Sequence, residues 1–298
     1  METLGYVLQQ LINGIQLGSV YALIALGYTM VYGILRMINF AHGDVFMLGA
    51  FFGYYLITKL SLPIYLVFLL AMAGTALVAF IIEKLAYRPL RKKNAPKISL
   101  LITAVGVSLF IEYFFSLNAM FTPNYIAFPR PFDVEPYDFN IFVITNVHIL
   151  IFLTTLFSLT FLYFLIYKTK QGKAMRAVAL DAEMAKLVGV DTEKIISLTF
   201  MLGGALAGLG GILYAIAYPQ INVFMGIMPG IKSFIAAVLG GIGIIHGAVL
   251  GGFIIGICEV FVSAFLSSTL RDGFIFLILF VFLIIRPNGI FGKRIEKV

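Results

Sequence analysis

Nine apolar stretches run along this chain, the last of them short for a helix in lipid, and only short connections separate most of them. They run at about 6–35, 40–58, 63–83, 98–118, 147–167, 195–218, 229–245, 247–269 and 273–286. A helix needs about 20 apolar residues to cross the roughly 30 Å of bilayer hydrocarbon. Every backbone N–H and C=O must be satisfied there, so helices and closed barrels are the only spanning structures. Barrel strands alternate apolar and polar residues, and these stretches do not. Charged residues make up 12% of the 298, against about 25% in soluble domains. The chain therefore reads as an all-α polytopic membrane protein with eight or nine transmembrane helices in a single domain, 1–298.

The connecting loops carry the orientation. Lys84, Arg88, Arg91, Lys92, Lys93 and Lys97 cluster after the third stretch with no acid among them, which marks 84–97 as cytoplasmic. The 121–146 loop has one base, Arg130, beside Asp133, Glu135 and Asp138, and reads as extracytoplasmic. Six bases in 168–194, and Arg286, Lys293, Arg294 and Lys297 in the tail, return those segments to the cytoplasm. Nine crossings satisfy this order, with the N-terminus outside and the C-terminus inside. Because its bases sit in a few loops, the net charge of +7 points to topology and lipid rather than to nucleic acid. The N-terminus lacks a basic n-region and a cleavage site, so the first span is expected to be retained. Cys258 is the one cysteine, which leaves no disulfide framework.

Two features complicate a simple bundle. The run GGIGIIHGAVLGG (240–252) breaks an otherwise continuous apolar stretch, and a re-entrant piece there with eight crossings is the alternative. The second is a faint internal similarity. GYTMVYG is followed by Asn39-x-x-x-Gly43, and GGILYAIAY by Asn222-x-x-x-Gly226, from opposite sides of the membrane as an inverted repeat requires. Glycines four residues apart (Gly14 and Gly18, Gly49 and Gly53, Gly204 and Gly208, Gly243 and Gly247, Gly252 and Gly256) allow close helix packing.

One hydrophilic segment interrupts the hydrocarbon. In QGKAMRAVALDAEMAKLVG (171–189), Ala177, Leu180, Met184, Leu187 and Val188 recur at helical spacing, with Lys173, Arg176, Glu183 and Lys186 on another face. A stiff amphipathic helix over about 171–191 is expected on the cytoplasmic side, either plainly solvated or gripped by a soluble partner.

Catalytic chemistry finds no support. His42, His148 and His246 show no ligand spacing, no nucleophile elbow or paired-aspartate cluster is present, and no G-x-x-x-x-G-K-[ST] loop could bind ATP. Any use of ATP and magnesium belongs to partner subunits, and the chain itself calls for no cofactor. Polar groups inside apolar spans are costly and face protein or a cavity. Asn13 and Gln16 in the first span, Glu112 in the fourth and Glu259 in the eighth are path-lining or structural. Asn39, His42 and Asp44 either start a helix or form a polar gate at the cytoplasmic mouth.

The stretches NGIQLGSVYALIALGYTMVYGILRMINFAHGDVFMLGA (13–50), EKLAYRPLR (83–91), GKAMRAVALDAEMAKLVGVDTEKIISLTF (172–200) and AAVLGGIGIIHGAVLGG (236–252) resemble the LivH-type permease of bacterial branched-chain amino-acid ABC importers. The resemblance implies an inner-membrane permease that imports leucine, isoleucine and valine by alternating access. Its implied partners are a LivM-like second permease, two cytoplasmic ABC ATPases and a periplasmic or surface substrate-binding protein. ABC importer permeases dock their ATPases through an E-A-A-x-x-x-G loop, matched here by Glu183-Met184-Ala185-x-x-x-Gly189. The I-x-L-P that should follow is replaced, with Thr199, Met201 and Leu202 at its positions. Gly172, Arg176, Glu183, Met184, Ala185, Leu187 and Gly189 are the implied ATPase-coupling residues. His246 stands where relatives often carry proline. Importers of urea, short-chain amides or other amino acids share this kind of permease, and a stand-alone secondary transporter is the other class open at this stage.

Overall fold

The computed structural model describes residues 2–117, 121 and 123–292. Lys293, Arg294 and Lys297 lie outside the described residues. The chain forms α1 (Glu2–Leu35), α2 (His42–Thr58) and α3 (Ile64–Ile82). A π-helical turn, Glu83–Tyr87, then leads into α4 (Arg88–Lys92) and α5 (Lys97–Phe115). The following loop holds β1 (Ile126–Ala127), β2 (Pro136–Asp138) and β3 (Val143–Thr145) before α6 (Asn146–Lys168). After it come α7 (Lys170–Leu180), α8 (Ala182–Leu187), α9 (Thr192–Ala217), β4 (Gln220–Ile221), α10 (Ile227–Gly240), α11 (Ile245–Phe265) and α12 (Arg271–Ile285).

The helices start and stop where local chemistry requires. Pro63 and Pro96 precede α3 and α5 in extended backbone, as the fixed proline ring favours ahead of a first turn. Thr145, Asp181 and Asp191 cap α6, α8 and α9 by accepting backbone N–H bonds on their side chains. Among the described residues, six helical segments are long and apolar enough to cross a membrane: α1, Ile64–Lys92, α5, α6, α9 and α11. The other apolar helices α2, α10 and α12 have 17, 14 and 15 residues.

α1 and α9 form the centre, packed on one another, while α3, α5, α6 and α12 turn large side chains such as Phe110, Phe157, Phe164 and Phe280 outward. That is the arrangement lipid demands, since helix association there rests on close packing rather than on hiding apolar surface. Small residues supply the packing. A methyl at Gly14 would come within 2.8 Å of the Ile257 Cα, and one at Gly18 within 2.8 Å of the Phe253 Cα. Gly49 of α2 lies against Gly208 of α9 in the same way.

The two ends of the bundle differ. At one, β1 pairs antiparallel with β4, and Gln9 of α1 exchanges hydrogen bonds of 2.8 and 3.1 Å with the Val143 backbone. The start of α1, the 121–146 loop and the end of α9 therefore share this loop end. The basic end gathers α4, α7, α8 and the tail, with Ile290 and Phe291 donating backbone N–H bonds to Leu239 and Gly240.

From these ends the repeat emerges. α1, α2, α3 and α5 correspond in order to α9, α10, α11 and α12, each running the opposite way, with α6 inserted between the halves. α1 packs on α11 and α9 on α3, the same contact in both halves. The Asn39 carbonyl accepts from the His42 N–H at 3.1 Å, and that of Asn222 from the Met225 N–H at 3.2 Å. Both turns lead into the short buried helices α2 and α10, and Gly43 and Gly226 of the two motifs touch inside the bundle.

Two expectations need correction. The glycine-rich run is not a re-entrant piece. It is the turn between α10 and α11 at the basic end, where Gly241 and Gly243 adopt φ of 102° and 93°, a left-handed backbone that glycine tolerates. The irregular backbone inside the bundle is instead 36–41 and 222–226. The segment 171–191 is not one helix, because Asp181 caps α8 and thereby ends α7. Short β-ladders also accompany the helices at the loop end.

Candidate functional site

Two adjoining cavities enter from the loop end, of about 470 and 440 Å³. Both lie within the roughly 300–1,000 Å³ usual for small-molecule sites. The first is lined by Gln10, Asn13, Gln16 and His148, the second by Tyr214, Gln220, Met225 and Met228, and both reach Tyr218, Glu259 and Arg271. Asn13 is held in place: its Oδ1 accepts from Gln9 at 3.1 Å and lies 3.3 Å from His148 Nε2.

At the floor sits an ion network. Lys232 Nζ lies 2.6 Å from Glu259 Oε1 and 2.7 Å from Asp272 Oδ1, and Tyr21 donates to Glu259 Oε2 at 2.7 Å. Arg271 Nε stands farther off, 3.8 Å from Glu259 and 3.6 Å from Asp272. Two bases and two acids, carried by α10, α11 and α12, leave no formal net charge. Removing one partner of a buried pair strands the other at a cost of about 3–5 kcal/mol. Glu259, which the sequence leaves without a basic neighbour, thus finds its partner 27 residues away.

Deeper in the bundle, Asp44 and Glu112 share a small cavity with Tyr28, Ser108, Gly226 and Gly230. Both carboxyl groups are buried, and Asp44 Oδ2 has no hydrogen-bond partner among the described residues. His42 packs edge-on against Tyr28 with ring centroids 4.6 Å apart. It adjoins Gly27 of α1, eight residues and so about 12 Å short of the end of that helix. Asn39 caps nothing; its Oδ1 accepts from the Tyr87 hydroxyl at 2.7 Å. A gate at the mouth is therefore replaced by a polar cluster inside the bundle.

The basic end carries a second network. Glu83, fully buried in the π-helical turn, pairs with Arg88 at 2.9 Å and Arg91 at 3.0 Å, and both arginines reach Glu193 on α9. Ser197 adds a hydrogen bond of 2.9 Å to Glu83. The 171–191 segment leads directly into this clamp. Asp191 caps α9, and the neighbouring Lys194, through side chain and backbone, holds its carboxyl below the usual range.

Within 171–191 the residues divide. Gly172 is buried beneath the end of α6, where a side chain would strike the Leu165 and Ile166 carbonyls. Arg176 turns back to donate to the Ile166 carbonyl and stacks over Tyr167, so it braces α7 instead of joining the solvated face. Ala185 is buried, whereas Leu180, Met184, Leu187 and Val188 are 62–82% exposed. Gly189 has φ of 87° and open space around it.

The structure thus brings Asn13, Gln16 and Glu259 together, unites Asp44 with Glu112, and keeps Asn39 apart with Tyr87. Sequence reading missed Lys232, Asp272, Arg271 and Tyr21. Lys232 was detectable as the lone base inside the 229–245 apolar run; its partners, on other helices, were not.

The family described as "Branched-chain amino acid transport system / permease component" matches residues 10–284. The chain is 40% identical over 306 residues to the "High-affinity branched-chain amino acid transport system permease protein LivH" of Escherichia coli K12, covering 98% of each. It is 40% identical over 309 residues, all of both chains, to the corresponding protein BraD of Pseudomonas aeruginosa. A "Probable branched-chain amino acid transport permease protein LivH" of Methanocaldococcus jannaschii is 30% identical over 287 residues, 94% of this chain and 90% of that one. No solved structure matches the chain.

Proposed function

This chain belongs to the family of branched-chain amino acid transport permease components, and from that premise we propose that it is the membrane-spanning permease of an ATP-driven importer of leucine, isoleucine and valine. The observation that carries the reading is the 40% identity, over practically the whole length, to relatives bearing that name. The ATP is hydrolysed by two cytoplasmic ABC ATPases, a LivM-like permease completes the channel, and a periplasmic or surface binding protein delivers the solute. The chain sits in the bacterial inner membrane with its loop end and N-terminus outside and its basic end and C-terminus in the cytoplasm, as the distribution of loop bases favours.

The geometry supports an alternating-access mechanism. Exposed Met184 and Leu187 on α8, with Val188 just after it, enter an apolar groove of an ATPase, the helix-in-groove mode. Closure of the ATPases on ATP moves α7 and α8. The clamp of Glu83, Arg88, Arg91 and Glu193 passes that motion to α3 and α9. Differential affinity of ATP for the two states supplies the work.

Uptake of labelled leucine by cells with and without this chain tests the cargo, with isoleucine, valine and urea as competitors. Loss on deletion of an uptake that isoleucine and valine inhibit is the expected result. Unchanged leucine uptake in the deletion strain overturns the assignment of cargo.

A further inference from the structure

A site that can hold a free amino acid has to meet a carboxylate and an ammonium a few ångströms apart, and also cover an aliphatic side chain. The cavities of the loop end offer each of these. At their floor two acids and two bases meet beneath a cavity of small-molecule size. The Arg271 guanidinium makes no hydrogen bond among the described residues, and its Nε stays 3.6 and 3.8 Å from the nearest carboxylates. It is half exposed and lines both cavities. An arginine with an uncommitted fork is the side chain best shaped to take a carboxylate by two parallel bonds.

The acids are unevenly held. Glu259 has Lys232 and the Tyr21 hydroxyl on its two oxygens. Asp272 Oδ1 lies 2.7 Å from Lys232 Nζ yet receives no aligned hydrogen bond. One oxygen of the quartet is therefore short of a donor, and an ammonium group carries three. Above the charges, Met225, Met228 and the paired rings of Tyr214 and Tyr218 form a soft wall; those rings lie 4.8 Å apart. Methionine suits such a wall because its flexible chain repacks around side chains of different branching.

We propose that Arg271, Lys232, Asp272 and Glu259 form a solute site for zwitterionic amino acids within the permease itself. It rests on the assigned cargo class and goes further by placing the point of contact. The solute carboxylate docks on Arg271, its ammonium on the remaining lone pairs of Glu259, which lines both cavities, and its aliphatic chain on Met225 and Met228. Charge balance makes the selection. A zwitterion adds one charge of each sign to a neutral quartet, so every buried charge stays paired. A carboxylate or an amine alone leaves an unmatched charge, and an uncharged amide such as urea forms no ion pair there.

The test uses the reconstituted importer with its binding protein. The double variant Lys232→Met, Glu259→Gln removes one charge of each sign, keeps an acceptor for Tyr21 and leaves Arg271 beside Asp272. If the ion pair is only structural, a neutral pair of similar size serves as well, and leucine uptake stays within twofold of the parent, which overturns the proposal. If it holds solute, the variant still hydrolyses ATP on addition of the loaded binding protein, while leucine uptake at saturation falls at least tenfold.

A second measurement stands even where that variant does not assemble. In a Cys258→Ala background, Met228→Cys is labelled by a thiol reagent without binding protein. Millimolar leucine slows the labelling at least threefold, whereas isoamylamine, 4-methyl-2-oxopentanoate and urea do not. Equal labelling with and without leucine overturns the site, and so does equal protection by all four. Failure of the cargo reading looks different. A parent importer that carries no leucine, while another zwitterionic amino acid protects the cysteine, sinks the cargo and leaves the site standing.

Discussion

The Tyr87 hydroxyl donates to Asn39 Oδ1 at 2.7 Å, and through that bond the π-helical turn of the third crossing holds the irregular backbone that leads into α2. Both groups are buried, with Tyr87 fully enclosed. Tyr87→Phe leaves the Asn39 oxygen without its donor, an orphan acceptor that costs about 1–3 kcal/mol. The expected result is a lower melting temperature of the purified complex with nearly normal expression. An unchanged melting temperature removes the tie.

The clamp at the basic end is asymmetric. Glu83 is fully buried beneath two arginines that keep some exposure. Glu83→Gln leaves both arginines with Glu193 alone and should destabilise by about 1–3 kcal/mol. Arg91→Gln leaves Arg88 in place and costs less. Chemical denaturation of the two variants in one detergent ranks them, and the reverse order contradicts the clamp.

Glycine contacts give a sharper contrast. A methyl at Gly43 would lie 2.6 Å from the Gly226 carbonyl oxygen, backbone against backbone, while nothing lies within 4 Å of one at Gly106. Gly43→Ala should cost about 1–3 kcal/mol, the usual price of overpacking. Gly106→Ala, in mid-helix, should gain roughly 0.5–1 kcal/mol. Thermal midpoints by size-exclusion chromatography read both signs.

Met184 and Leu187 are 62% and 80% exposed on α8, so replacing them disturbs no core. Met184→Asp with Leu187→Asp should leave the permease in the membrane and remove the ATPases from the copurified complex. Gly189→Val, forced into a left-handed φ of 87°, should add roughly 1–2 kcal/mol of local strain. Intact copurification and coupled uptake in the double variant would separate this surface from docking.

Much of the architecture was legible because burial in lipid writes itself along the chain. The 98–118 and 195–218 runs appear as Lys97–Phe115 and Thr192–Ala217, with helix ends displaced by at most three residues. The repeat was visible in two Asn-x-x-x-Gly motifs, since a shared turn needs the same small residues. The candidate site was legible only by halves. Glu259 stood out as a costly carboxylate, but Lys232 and Arg271 reach it from separate helices, and no local spacing records such a meeting. The break at Asp181 was hidden for another reason: apolar residues keep helical spacing across it, while the side-chain oxygen, by accepting from the Glu183 and Met184 N–H groups, starts a new helix.

The touching of Gly43 and Gly226 has a mechanical consequence. With no side chain on either residue, the two halves are pinned at one spot in the interior, between the loop end and the basic end. Two halves that lie side by side and meet at such a point rock about it as the arms of a clothes-peg do, and widening them at one end narrows them at the other. In the proposed importer, a pair of residues without side chains is then the fulcrum.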